Sequence, residues 1–435
     1  MKIYSSEPLF HKIIEKINKV REDNFNISLL NYLCMVYLFS IMISYKVHGL
    51  IIYIILVIFF LNKNIKIHLL ETLKNKFVQA CILYFAICII WMIGTEDLSY
   101  AFVQIKINKV FLYSILFIAI IRKEFINKFF YVFFFTLLIN VIWSYLIFFN
   151  IVDFSFNASG YLPLLEKIDH AFFVMIGISY SLYRLLNYKD KIVFKILFIL
   201  FICIESFNIF ITNNKTMMFL YLLVILITTI YLYRNNIYKI FFVSIIFFSF
   251  VFIVLNYFLP SVKNDLIREV KTTYKSLNSD DYNGSMAARV GMAKFALSII
   301  SENKLFGLGT GDHALEIIKR VKESDLKEKN FNSYNMLIIN LDTGKAVNIH
   351  NTYLQILVQF GIIGLIVFLN IFYQIARNIS TKADINSYLL LVILTIILVQ
   401  FNTGWDFRFG NLGNFFILMV SLLINSISKK ENNAT

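Results

Sequence analysis

A chain of 435 residues that is 59% hydrophobic and 17% aromatic, with only 3 prolines, carries more apolar surface than a water-soluble domain of its size can bury. Its formal charge of +14 is dispersed in short clusters between apolar runs and not gathered into one basic domain, which argues against nucleic acid as a partner. The four cysteines, Cys34, Cys81, Cys88 and Cys203, fall within apolar runs without a CxxC pair or Cys/His ligand spacing, so they read as small core residues; no metal site and no cofactor is expected.

The first 27 residues are polar and basic and lack the apolar region and cleavage site of a signal peptide, so they read as a cytoplasmic segment. Apolar runs then recur near 28–44, 49–62, 78–95, 103–121, 129–150, 171–187, 192–212, 217–233 and 240–259, and again near 352–376, 387–401 and 413–428. A hydrocarbon layer about 30 Å thick imposes this spacing on helices, because only a helix or a closed barrel satisfies its backbone within lipid. The expected fold is all-α, a polytopic membrane protein of about twelve transmembrane helices, nine in 28–259 and three in 352–428, with a tail at 429–435.

Basic residues fall in alternate connections: Lys63, Lys66, Lys74 and Lys76; Arg122, Lys123 and Lys128; Arg184, Lys189 and Lys191; Arg234 and Lys239; Arg377 and Lys382; Lys429 and Lys430. The opposite connections hold Glu96, Asp97, Asp153, Glu166 and Asp169. The positive-inside rule then puts both termini in the cytoplasm and the one long connection, 260–351, on the opposite face. No internal repeat supports a solenoid or a duplicated transporter.

The long connection reads as helices. After Pro260, Val262, Leu266, Val270 and Tyr274 stand at helical spacing, an amphipathic helix at the membrane surface. In MAARVGMAKFALSIISE, Met286, Val290, Ala293, Ala296, Leu297 and Ile300 form the expected buried face, with Arg289 pointing off it. KLFGLGTGDH is a tight reversal, and HALEIIKRVKESDLKEK a third amphipathic stretch. GLGTG is not a phosphate loop, since Asp312 follows Gly311 where Lys would be required.

Arg289 in MAARVGMAKFALSII, the glycine-rich KLFGLGTG, and IHNTYLQILVQFGIIGLIVFL, where His350 and Asn351 open a span containing Gly361 and Gly364, occur in an order and spacing that resemble the O-antigen ligase and Wzy-type polymerase superfamily. The resemblance is close from about Tyr282 to Phe368. It implies a metal-independent glycosyltransferase of the bacterial inner membrane, working at the periplasmic face. The implied donor is a glycan on undecaprenyl pyrophosphate. The implied acceptor is a lipid A core sugar for a ligase, or a lipid-linked glycan for a polymerase.

Those roles suit the residue types. The attacking acceptor hydroxyl must lose a proton, which an imidazole of pKa about 6.5 can take, a role for His350. The pyrophosphate leaving group gathers negative charge, which Arg289 would stabilise. Family ligases carry a second external arginine after a central span; the matching place, FITNNKTMMF, holds Lys215, which supplies charge without the two-pronged guanidinium geometry. Asn351, His170 in the external loop LLEKIDHAFF and Arg408 in the external loop NTGWDFRFGN complete the candidate substrate-binding set.

Each residue also has a plainer reading. His350 caps a helix at the interface; Arg289 snorkels or pairs with Asp280 or Asp281; Lys215 marks a span end; Arg408 pairs with Asp406. Glu205, inside an apolar run, needs a partner in a neighbouring span or a wet cavity. Ligase is the first reading and polymerase the second. A lipid-linked-sugar transporter is a third, disfavoured because polar residues are sparse within the spans.

Overall fold

The computed structural model describes residues 23–44, 47–62, 64–152, 165, 167–188, 191–211, 215–253, 256–257, 260–279, 281–282, 285–323, 349–380, 384–403 and 410–427. All regular structure among them is helical. Runs dominated by Leu, Ile and Phe have no other way to pair their backbone groups in lipid.

The first part of the bundle is α1 (Asp23–Ile41), α2 (Val47–Phe60), α3 (Ile65–Leu73), α4 (Lys76–Ile90), α5 (Leu98–Asn108), α6 (Tyr113–Ile120) and α7 (Ile126–Phe148). A 3₁₀ turn at Lys109–Leu112 joins α5 to α6, and together they form one apolar helix from Leu98 to Ile120. Helix α3 occupies a stretch that the sequence reading treats as a basic connection. It meets α4 at 83°, and the Asn75 side chain caps the corner by accepting from the amides of Phe77 at 2.9 Å and Val78 at 3.4 Å.

Next come α8 (Lys167–Asn187), α9 (Ile192–Ile211), α10 (Lys215–Tyr233) and α11 (Ile237–Ile253); α12 (Pro260–Asn278), α13 (Ser285–Glu302) and α14 (His313–Glu323) lie in the long connection. The chain closes with α15 (Thr352–Ala376), α16 (Ile385–Gln400) and α17 (Gly410–Ile427). Among the described residues four helices, Leu98–Ile120, Lys123–Phe148, Ile192–Ile211 and Thr352–Ala376, are long and apolar enough to cross a bilayer, and several shorter apolar helices accompany them.

The core sits where α8, α16 and α17 meet: residues 170–178 and 411–424 are continuously buried. Around it α9 turns Ile192, Val193, Leu197 and Phe207 outward, which suits a lipid solvent. Cys34, Cys81 and Cys88 are buried as the sequence suggests, but Cys203 is exposed on α9, because a helix apolar on every side shows no sequence mark of which side faces out.

The three helices of the long connection are built differently. Helix α12 packs on α13 yet leaves Ile267, Val270, Tyr274 and Leu277 exposed along one stripe. Helix α13 buries Ala287, Ala288, Met292, Ala296 and Ile299. The expected face is therefore rotated, since Met286 and Leu297 are exposed; small alanines, weak as hydropathy signals, are what allow the close approach.

Candidate functional site

Helix α15 is broken at Gly361, whose φ is +63°. In an unbroken helix the amides of Ile362 and Ile363 would donate to the carbonyls of Val358 and Gln359. Here the segment 304–309 takes both places. Leu308 N donates to Val358 O at 2.9 Å and Gly309 N to Gln359 O at 3.0 Å, while Ile362 N donates to Lys304 O at 3.0 Å and Ile363 N to Leu305 O at 3.4 Å. The carbonyls of Val358 and Gln359 and the amides of Ile362 and Ile363 are thus paired again, as burial demands. The backbones approach so closely that a Cβ on Gly361 would overlap the Leu305 carbonyl, and one on Gly307 would overlap the Gln359 carbonyl.

The same loop is fastened to α4 and α5. Thr310 donates from its amide to Trp91 O at 2.9 Å and from its hydroxyl to Cys88 O at 2.7 Å, occupying carbonyls at the end of α4. Gly311 N donates to the Gln359 side chain at 3.1 Å, and a Cβ at Gly311 would lie 2.8 Å from the Ala101 nitrogen. The buried Asp312 carboxylate accepts from Thr95 Oγ1 at 2.5 Å, Glu96 N at 3.2 Å and Asp97 N at 3.3 Å. The glycine-rich stretch is therefore a backbone clamp, in keeping with its reading as a reversal. Asp312, Thr310 and Gln359 were not singled out by the sequence; the Asp that follows GLGTG was their one visible trace.

This clamp positions the two principal candidates. Ala288, beside Arg289, and Ile349, beside His350, are buried in one cluster with Tyr100, Met292, Ile317 and Val358. Arg289 is half-buried on α13, with Nη1 3.2 Å from Met286 Sδ. Burial pulls its pKa below the ordinary arginine value and the charge of Glu269 on α12 opposes that pull; the guanidinium stays cationic. Asp281, one of the expected partners of Arg289, bonds Lys275 at 3.0 Å. Gly291 lets the Tyr282 ring lie against α13, and Lys294 donates to the Tyr282 hydroxyl at 2.8 Å.

His350 is exposed at the mouth of α15 with φ +60°, a left-handed conformation uncommon for a side-chain-bearing residue. Asn351 follows as the N-cap, its side chain accepting from Leu354 N at 3.0 Å. The cap turns the chain so that His350 stands just outside the first turn. On the far side of α13, Arg320 joins α13 to α14: its Nε donates to Glu316 at 2.8 Å and its guanidinium grips Glu302. That grip holds the Glu302 carboxyl below its usual pKa.

Lys215 is the first residue of α10, but its side chain falls outside the described residues, as do Arg408 and Asp406. His170 is not a loop residue: helix α8 starts at Lys167, and the His170 side chain is buried in the bundle, its Nε2 2.6 Å from Asn208 Oδ1. Asn208 in turn donates to Ser144 Oγ at 2.9 Å, so the three residues tie α7, α8 and α9 together. Glu205, one turn from Asn208, is buried with neither carboxylate oxygen hydrogen-bonded among the described residues, and the pairing expected of it is not made there.

Among the described residues no group of three or more His, Cys, Asp or Glu is arranged to hold a metal ion. Residues 196–369 match the family model described as O-antigen ligase. The match runs from α9 into α15 and spans Lys215, Arg289, the glycine clamp and His350. No curated protein matches the chain.

Proposed function

Because residues 196–369 match the family model described as O-antigen ligase, and the described residues include helices long and apolar enough to cross a bilayer, we propose that the protein is a glycosyltransferase moving a glycan from undecaprenyl pyrophosphate to a lipid A core sugar at the periplasmic face of the inner membrane. The observation that carries this reading is the common seating of Arg289 and His350. Both flank one buried cluster held by the clamp between 304–311 and the broken helix α15.

In the proposed step the acceptor hydroxyl oxygen attacks the anomeric carbon, its proton passes to the His350 imidazole, and the bond from that carbon to the phosphate oxygen breaks. The electron pair leaves with undecaprenyl pyrophosphate. Arg289 stabilises the charge gathering on that leaving group, a task we assign to the guanidinium in place of a metal ion. Lys215 and Arg408 are proposed as further contacts to the anionic donor or the acceptor, and Asn351 as the residue that sets the His350 backbone. We propose His170 as a positioning residue that orders α7, α8 and α9 near the substrate.

The exposed apolar stripe of α12 supports a connection lying along the membrane surface, where a lipid-borne headgroup can reach it. Orientation with both termini cytoplasmic and 260–351 periplasmic remains part of the proposal, supported by the basic residues of the alternate connections. The polymerase reading uses the same step with a second lipid-linked glycan as acceptor.

The test is transfer by purified protein in vesicles holding an undecaprenyl-pyrophosphate glycan and a core acceptor. His350→Ala is expected to lower turnover by on the order of 10²–10⁴, and Arg289→Ala by on the order of 10²–10³. Full transfer by both variants would remove the catalytic assignment. A surface-polysaccharide gel separates the two acceptors: loss of a ligase leaves long polymer unattached, whereas loss of a polymerase leaves single repeat units attached.

A further inference from the structure

The apolar helix Leu98–Ile120 carries Lys106 and Lys109, one helical turn apart and well inside its length. Ionisable groups within a span are costly, and they gather where a pathway or a ligand needs them. A lone lysine would extend along its helix to reach water. These two instead line one cavity of about 280 Å³, with His48 and Tyr53 of α2, Tyr113 of α6 and Asn414 of α17.

The cavity is built for an anion. Among the described residues its lining holds two lysines and no aspartate or glutamate. Lys109 Nζ lies 5.9 Å from the centre of the Tyr53 ring, which steadies the ammonium against the wall. His48 donates from Nδ1 to Ser44 O at 3.2 Å, which fixes the ring at the cavity wall and makes Nε2 an acceptor, open to a protonated phosphate oxygen.

Its position points to a lipid as the source of that anion. Lys106 and Tyr53 are exposed at its rim, and beside them Leu50, Val57 and Phe102 present bare apolar surface of the kind that faces acyl chains. Ile52, Ile107 and Val110 complete the wall. Val103, also on the wall, packs against the cluster beside Arg289 and His350, so the cavity opens at the end of the bundle that carries the clamp.

We propose that this cavity binds the phosphate headgroup of a membrane lipid, a phosphomonoester or pyrophosphate, with Lys106 and Lys109 as its cationic contacts. The acyl or prenyl chain stays in the bilayer against α2 and α5. The site is separate from the transferase residues, and binding there does not depend on the reaction proposed above.

Full-length protein in mild detergent, probed by native mass spectrometry, tests this. Dimyristoyl phosphatidic acid is expected to form adducts that survive excess dimyristoyl phosphatidylcholine. The double variant Lys106→Gln/Lys109→Gln should weaken them by about tenfold or more, whereas Lys106→Arg/Lys109→Arg should retain them. Equal retention by the Gln variant overturns the proposal, and so does displacement by equimolar inorganic phosphate, which would mark a site for free anions. Because the Gln variant alters a membrane helix, wild-type protein is also exposed to a diazirine-bearing phosphatidic acid. Labelling of peptides within 47–60 and 98–113 is expected, and labelling confined to other segments sinks the assignment.

Discussion

At the centre of the bundle, α17 is buried on every side from Asn411 to Ile424, and its neighbours α6 and α16 offer it mostly Leu, Ile and Phe. At the glycine clamp the contact is backbone against backbone: four reciprocal amide–carbonyl bonds replace a missing stretch of helix, and two glycines, Gly307 and Gly361, leave room for them. The first region is specified by apolar volume and tolerates a methylene more or less. The second is specified by register and tolerates nothing at the contact point, which is the better property for holding Arg289 and His350 in place.

Substitutions at the two regions should therefore separate widely. The largest loss is expected for Gly361→Ala, which adds a side chain at φ +63° directly against the Leu305 carbonyl. A destabilisation on the order of 3 kcal/mol or more, read as a fall in thermal midpoint in detergent, should accompany loss of transfer. An unchanged midpoint would dissolve the contrast. Asp312→Ala comes next, at about 2–3 kcal/mol, since it strands the amides of Glu96 and Asp97 that the carboxylate satisfies. Retained protease resistance at 91–97 in that variant would show the corner to be held by something else.

Within the bundle Ile417→Val should cost about 0.5–1.5 kcal/mol by the same melting assay and leave transfer intact. The smallest effect belongs to Glu302, which is exposed. Arg320 depresses its pKa, so the pairing contributes above the ordinary carboxylate range and fades as pH falls through the lowered value. Protection factors of the α13–α14 junction, which remove the intrinsic pH dependence of amide exchange, should accordingly fall in acid and stay level between pH 6 and 8, well above the ordinary glutamate pKa of about 4.3. Glu302→Gln should abolish that acid dependence.

Much of this was readable before any coordinates. The runs near 192–212 and 352–376 became helices within a residue of those bounds, because an apolar run bounded by polar residues states its own length. Arg289, His350 and the glycines were legible as a motif. What pattern could not carry was pairing across distance: nothing in KLFGLGTGDH names Val358 or Trp91 as its acceptor. The corner at Asn75 was missed because a short helix rich in Lys and Asn neighbours looks like a connection. His170 was misplaced in a loop because the Lys167–Asp169 start of α8 is polar although the fold buries His170.

The break in α15 also bears on how the protein is made. The donors at Leu308, Gly309 and Gly311 are synthesised well before their acceptors; Gln359 lies 48 residues beyond Gly311. The acceptors at Cys88 and Trp91 are in place long before. During translation the segment can thus anchor on one side only, and the other side waits for the residues of α15 to leave the ribosome. A nascent chain arrested before Val358 should remain open to protease around 304–311, and closure there would report that α15 has reached its place.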